Sequence, residues 1–254
     1  MTFKLQPLVL LAFIAGRLAV TAWADSASNQ VFVARAQKTF ESARQNYLAN
    51  TNSTTNAWVY ASACFDLADL ATNDDHRAEM ARLGIAACRH ALETEPQSAP
   101  LHYYLGMNLG QLAKALSPSL SAYRLVHEVE REFVRAAELD VHFDYGGPAR
   151  TLGLLYFQAP GWPLSVGSKS KAREWLQRAV DVAPDYPDNQ LNLAEAQLKW
   201  RQRDALAATL QKMDALWPAA KTNFAGVKWE TNWQDWDTRR DRLKTDAQRI
   251  YGNK

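Results

Sequence analysis

The sequence has few of the residues that usually carry catalysis or bind metals. Its 254 residues include two cysteines and five histidines, and the histidines form neither an HExxH motif nor a close pair at i, i+4. A zinc site needs three or four convergent ligands, and the GxSxG, P-loop and GxGxxG motifs are also missing. The sequence therefore predicts no metal site and no cofactor, and it gives no reason to expect an enzyme.

An excess of one charge is also lacking. The chain has 29 lysines and arginines and 27 aspartates and glutamates, which gives a formal net charge of +2. Two of the basic residues, Lys4 and Arg17, lie in an N-terminal segment without acids, so the two signs are balanced in the remainder. Because nucleic-acid-binding proteins usually show a basic excess or a basic stripe, we expect no nucleic-acid partner.

Long apolar runs are missing except near the N-terminus. Lys4 precedes an apolar run over 7–16, and the small-x-small site Ala22-Trp23-Ala24 follows it. These are the three parts of a cleavable secretory signal, and the run is shorter than the roughly 20 apolar residues that span a bilayer. We predict a signal peptide over 1–24, cleaved near Ala24, and a soluble periplasmic product. An uncleaved membrane anchor is the alternative.

Strand signals are missing too, since no alternating run is bounded by hairpin turns. Instead, one helical pattern occurs three times. Each copy has an alanine at the same position, and these alanines, Ala91, Ala136 and Ala179, are separated by 45 and then 43 residues. A second helical segment precedes each copy, and it twice joins a leucine to a glycine, at Leu105-Gly106 and Leu152-Gly153. Small residues on both helices allow two antiparallel helices to approach closely, which is the packing of a tetratricopeptide hairpin.

The pattern predicts an all-α fold, an array of tetratricopeptide-like antiparallel helix hairpins wound into a right-handed superhelix with a C-terminal capping helix. The period exceeds the 34 residues of that repeat, which we ascribe to long connections within each pair; HEAT-type repeats of about 40–47 residues are the alternative. We expect the repeat domain over 25–218 and a capping segment over 219–254. Within this segment Trp229, Trp233 and Trp236 form one helical stripe, which either docks the cap or contacts a partner.

Ten helices are predicted, over 29–49, 56–71, 75–94, 99–115, 118–139, 147–157, 169–183, 188–201, 204–216 and 232–251. The segment 157–170 contains two prolines and two glycines, which predicts a loop. The two cysteines, Cys64 and Cys88, fall on the two helices of one predicted hairpin. Because paired cysteines of exported proteins are usually joined, we predict a Cys64–Cys88 disulfide. Two buried thiols that pack as small hydrophobic groups are the alternative.

One region carries a family resemblance. The sequences GPARTLGLLYFQAPGWP (147–163), KAREWLQRAVDVAPDYPDN (171–189) and LNLAEAQL (191–198) resemble the T-component family associated with tripartite ATP-independent periplasmic (TRAP) transporters. The resemblance covers roughly 55–215. It implies a periplasmic helical-repeat protein with a central pore or groove, partnership with the transporter's solute-binding protein, and a homo-oligomer. Members of that family are typically lipoproteins, whereas this chain lacks a lipobox cysteine.

In such hairpins the first helix of each pair faces the concave surface, so inward residues on these helices are candidates for binding. The ligand-binding candidates are Tyr103, Met107, Gln111, Arg150, Leu154, Gln158 and Trp162. We expect Arg150 to pair with a ligand carboxylate and Trp162 to anchor the APGWP loop over the groove. This set predicts a binding protein for a small hydrophobic carboxylate solute. A periplasmic protein–protein interaction scaffold without a small-molecule ligand is the alternative.

Overall fold

The computed structural model describes residues 26–252, which are helical throughout apart from their connecting loops. The predicted signal peptide over 1–24 lies outside the described residues. The helices are α1 (Ser26–Ala49), α2 (Thr54–Leu70), α3 (Asp74–Leu92), α4 (Ala99–Ala115), α5 (Leu120–Leu139), α6 (Phe143–Gln158), α7 (Lys169–Val182), α8 (Pro187–Lys199), α9 (Arg203–Asn223) and α10 (Glu230–Tyr251), with a short 3-10 helix over Val227–Trp229. The predicted all-α fold is confirmed.

The helices form an array of consecutive hairpins. Each of the pairs α2/α3, α4/α5, α6/α7 and α8/α9 packs together, and the first helices α2, α4, α6 and α8 also contact one another in order. Helix α10 packs on α8 as a further member of this row, and α1 packs against α2. The first helices together with α10 therefore make one layer of the molecule, which we call the inner layer.

Helix starts follow local sequence signals. Ser53, Asn73, Ser119 and Ser168 each accept a hydrogen bond from a backbone N–H of the first turn of the helix that follows. Helices α4 and α8 instead have a proline in the first turn, where its missing N–H costs nothing. Because these signals are local, most helix boundaries are predictable within two or three residues.

The long period has two origins. Ten residues, 159–168, connect α6 to α7, as the sequence predicts, but only four residues, 116–119, connect α4 to α5. In the α4/α5 hairpin the extra length lies in the helices themselves, which have 17 and 20 residues. The expectation of a long connection in every pair is therefore wrong for α4/α5.

Helix α9 runs past the predicted end at residue 216, through Pro218, to Asn223. Trp217 and Ala220 are buried on either side of the proline, so packing offsets the backbone hydrogen bond that the proline removes. The predicted domain boundary at residue 218 consequently falls inside a helix.

The tryptophan stripe docks the cap. Trp236 is fully buried, and its ring contacts Tyr186, which directly precedes α8, at a centroid distance of 5.5 Å. The Trp233 ring lies edge-on to Trp217 of α9 at 5.6 Å, and its Nε1 donates to the Phe224 carbonyl at 2.7 Å. Both contacts hold α10 against the array.

The predicted disulfide is not present. Cys64 and Cys88 are both free and buried, and they do not lie at disulfide-bonding distance. Cys64 packs in the cluster between α1, α2 and α3 beside Tyr60, whereas Cys88 packs toward α4 and α5. Burial raises the pKa of Cys64 to about 12, so both side chains act as small apolar groups.

A candidate binding cavity on the inner layer

The inner layer surrounds a cavity of about 420 Å³. Residues of α1, α2, α4, α6 and α8 line it together with the segment that contains the 3-10 helix and the first two turns of α10. Arg35 of α1 reaches across to this segment: it donates to the Val227 carbonyl at 3.1 Å and pairs with Glu230 at 3.4 Å. The two ends of the array thus meet on one side of the cavity.

Four of the predicted site residues, Tyr103, Met107, Arg150 and Leu154, line this one cavity. They come together because α4 and α6 are adjacent first helices, so equivalent inward positions face the same space. The other three candidates lie elsewhere. Gln111 is buried and donates to Asp69 of the cavity wall at 3.2 Å, and Gln158 lines a different groove.

Trp162, the last candidate, is 89% exposed, so the prediction that it anchors the APGWP loop is wrong. The backbone holds the loop instead. Gly167 N–H donates to the Pro160 carbonyl, and Ser168 N–H donates to the Tyr156 carbonyl, each at 2.9 Å. A Cβ on Gly167 would lie 2.0 Å from the Ala159 carbonyl oxygen, so only glycine allows this close approach.

An unusual turn forms the cavity wall at the start of α6. Asp144, Tyr145 and Gly146 all have positive φ, of 50°, 55° and 78°. Two consecutive non-glycine residues in this region cost conformational free energy, and such conformations persist only where the surroundings hold them. The predicted helix begins after this turn, at residue 147, and no sequence signal predicts the shape of the turn.

Arg150 is the residue that holds the turn. Its Nη1 and Nη2 donate to the Asp144 and Tyr145 carbonyls at 3.3 Å, and Nη2 also donates to Asp144 Oδ2 at 2.7 Å. The remaining acceptors are Asn189 Oδ1 at 3.1 Å from Nη1 and Asp188 Oδ2 at 3.4 Å from Nε. Each guanidinium nitrogen therefore has an acceptor within the protein.

These contacts change the role expected for Arg150. Burial by itself would lower the pKa of Arg150, but Asp144, Tyr103, Tyr186 and Asp188 raise it overall. The guanidinium stays charged and is committed to the chain's own carboxylates. Its partners in the structure are carboxylates and carbonyls of the chain itself, whereas the sequence predicts a ligand carboxylate.

A second buried arginine extends this ionic chain. Arg239 of α10 pairs with Asp188 at 2.7 Å through Nη1, and it contacts both oxygens of Glu195, at 2.8 and 2.9 Å. Because Asp188 bridges the two arginines, one ladder of charges, Asp144–Arg150–Asp188–Arg239–Glu195, joins α6, α8 and α10. We call it the ionic ladder; the sequence contains no motif that would reveal it.

The cavity is acidic. Five aspartates line it, at 66, 69, 144, 188 and 235, against three basic residues, at 35, 150 and 228. Two of these basic residues, Arg35 and Arg150, are already paired with acids. Burial raises the pKa of Asp235 to about 6, with Asp188 and Glu195 adding to the effect and Arg239 opposing it. The acids that line the cavity therefore outnumber its basic residues.

Aromatic rings complete the walls, among them Phe65, Tyr103, Tyr104, Tyr186 and Trp229. Aromatic faces and carboxylates together attract cations.

The first half of the chain is similar to a known protein family. Residues 21–143 match the family model described as "Regulator of microtubule dynamics protein 1-3".

That match covers just under half of the chain and ends at the start of α6. No curated protein matches the chain. The similarity suggests a helical protein-interaction scaffold; it does not confirm the resemblance to the TRAP T-component family. Within 26–252, no group of histidine, cysteine, aspartate and glutamate side chains could hold a metal ion, and no helix is long and apolar enough to cross a membrane.

Proposed function

We propose that this chain is a non-enzymatic, exported helical scaffold whose inner cavity binds a cationic segment of a protein partner. The observation that carries the proposal is the charge of the cavity. Carboxylates exceed cations there, aromatic rings lie beside them, and the buried Arg150 is neutralised by Asp144 and Asp188. A lysine or arginine side chain would meet both carboxylates and aromatic faces.

The same charge argues against the small hydrophobic carboxylate solute expected from the sequence. An anion entering the cavity would face an excess of aspartates, and Arg150 is already paired with Asp144 and Asp188. The resemblance around the APGWP segment supports the solute-binding protein of a TRAP-type transporter as one candidate for the partner. A basic segment on that partner is what the cavity would require.

To test the cavity, a labelled hexalysine peptide is titrated with the purified chain at low salt. Fluorescence anisotropy measures the affinity. Asp69→Asn removes a cavity charge but keeps an oxygen acceptor for Gln111, so we expect about a fivefold or larger loss of affinity. The matched control is Glu79→Gln, which makes the same charge change at an exposed position of α3. Equal affinities of the two variants, or tighter binding of hexaglutamate, would contradict the proposal.

Export is tested separately, because it rests on the N-terminal sequence alone. We expect N-terminal sequencing of the mature protein to begin at or within a few residues of Asp25. A membrane-bound product that still begins at Met1 would contradict the cleaved signal and favour the anchor.

A further inference from the structure

A second, larger concavity lies on the other half of the inner layer, with a volume of about 1030 Å³. It is lined by the end of α6, the second half of α8 with the two residues that follow it, and the second half of α10. Since α8 packs against both α6 and α10, α8 forms the floor and the other two helices form the walls. We call this site the distal groove.

The surface of the distal groove is largely apolar. Phe157, Leu198, Trp200, Leu243 and Ile250 line it, and the Phe157 and Trp200 rings meet edge to face at 5.5 Å. Such a surface gains free energy when another apolar surface covers it. The groove thus offers an apolar strip along α8 and α10.

A buried amide lies beneath this strip. Asn192 lines the groove and is only 2% exposed, and its Oδ1 accepts from Arg239 Nη2 at 2.5 Å. That bond fixes the orientation of the amide and leaves Nδ2 without an acceptor among the described residues. Nδ2 itself is buried, so the ligand chemistry of the groove follows from its apolar surface and its charge.

The rim of the groove carries positive charge. Its two acids, Glu195 and Asp246, are already paired with Arg239 and Arg249. Three more cations, Lys199, Arg201 and Arg242, line the groove, and within 26–252 none of them has an ion-pair partner. Arg201 is also held at φ 59°, a conformation that glycine adopts more readily than arginine.

We propose that the distal groove binds an acidic amphipathic helix of a protein partner. The apolar face of that helix would lie on Leu198, Trp200 and Ile250, and its carboxylates would meet the cations of the rim. The dimensions favour a helix over a small carboxylate: α10 contributes 239–250, about 17 Å or three helical turns at ~1.5 Å per residue. This site shares only Leu154 with the lining of the inner cavity, and it selects the opposite charge.

The test uses a labelled twelve-residue peptide of leucine and glutamate, with leucines spaced three or four residues apart, and fluorescence anisotropy with the full chain. We expect saturable binding that Arg242→Gln weakens about fivefold or more. Arg201→Gly should weaken it similarly while leaving the melting temperature unchanged or higher, because glycine relieves the backbone at φ 59°. This second variant separates loss of binding from loss of folding.

The matched control is Arg82→Gln, the same charge change at an exposed position of α3. Asp69→Asn in the inner cavity should also leave binding of this peptide unchanged. The proposals for the two sites can therefore be rejected independently. Four outcomes would overturn the proposal: no binding, equal effects of Arg82→Gln and Arg242→Gln, equal binding of a leucine–lysine peptide, or displacement of the peptide by decanoate at similar molar affinity.

Discussion

At the scale of single residues, helices approach closely where a glycine of one helix faces a large side chain of the next. A Cβ on Gly106 of α4 would lie 2.6 Å from the Phe133 ring of α5, and one on Gly153 of α6 would lie 2.7 Å from Leu176 of α7. Phe133 and Leu176 are both fully buried. These contacts leave no room for even one methyl group.

We therefore expect Gly106→Ala to destabilise the protein by about 1–3 kcal/mol, as overpacked cores do. Alanine is a better helix former than glycine by roughly 1 kcal/mol. A loss of stability in Gly106→Ala therefore identifies overpacking as the cause. Urea unfolding of the wild type and of Gly106→Ala measures the difference in the free energy of unfolding. In a Phe133→Leu background the cost of the alanine should shrink, and a stabilising Gly106→Ala would show that the helices are not in close contact.

The environment of Asp235 predicts how the stability of the protein depends on pH. Its folded pKa of about 6 lies above its ordinary value of 3.8, so between these two pH values the folded state holds the proton more tightly than the unfolded chain. Stability therefore falls as pH rises through this window. Asp235→Asn keeps an oxygen for Arg239 and removes the titration.

We expect the wild type to lose about 1–3 kcal/mol relative to Asp235→Asn between pH 4 and pH 7. The urea midpoints of the wild type and of Asp235→Asn are measured at each pH. Parallel curves across this range would mean that Asp235 titrates normally in the folded protein.

At the scale of the elements, one histidine links α4 to its neighbours. His102 Nδ1 lies 2.6 Å from Glu132 of α5, and its Nε2 lies 3.1 Å from the Pro96 carbonyl. Both partners accept hydrogen bonds only, so the ring satisfies both when it is doubly protonated. Burial by itself would lower the pKa of His102, but these two bonds raise it above its ordinary value of 6.5.

The contribution of His102 is therefore fully present below pH ~6.5 and is lost as pH rises through the folded pKa. We expect His102→Gln to cost roughly 1.5–3 kcal/mol at pH 5.5, the range for a hydrogen bond to a charged group, and less at pH 8.5. Thermal unfolding at several pH values measures this. A cost that does not change with pH would show that the ring stays neutral.

At the scale of the whole molecule, the ionic ladder holds the inner layer together across α6, α8 and α10. Asp188 is its central member, since it pairs with both Arg150 and Arg239. Both arginines are almost completely buried. Removing their shared partner would leave buried positive charge without full compensation.

We expect Asp188→Ala to destabilise the protein by about 3–5 kcal/mol and to loosen α10. Hydrogen exchange should then become faster in α10 and in the turn at 144–146. The control is Asp185→Ala, three residues away at an exposed position, which should change stability little. Equal effects of the two variants would show that the ladder adds no stability.

Much of the fold is determined by the sequence itself, because its signals are local. Ser53, Asn73, Ser119 and Ser168 mark helix starts, and the leucine–glycine pairs mark the first helices that approach a partner closely. A repeating pattern of this kind specifies hairpins, and adjacent hairpins must place equivalent positions together. That is why Tyr103, Met107, Arg150 and Leu154 could be expected on one cavity wall.

Only the tertiary structure decided the chemistry of that cavity. The partners of Arg150 include Asn189, and Arg239 meets Asp188 some fifty positions away in the chain, so no local pattern reveals that these charges neutralise each other. Burial likewise decided that Cys64 and Cys88 pack as separate thiols and that Trp162 remains in solvent. Helices follow from interactions a few residues apart, whereas the charge of a cavity follows from side chains that meet only after the array has folded.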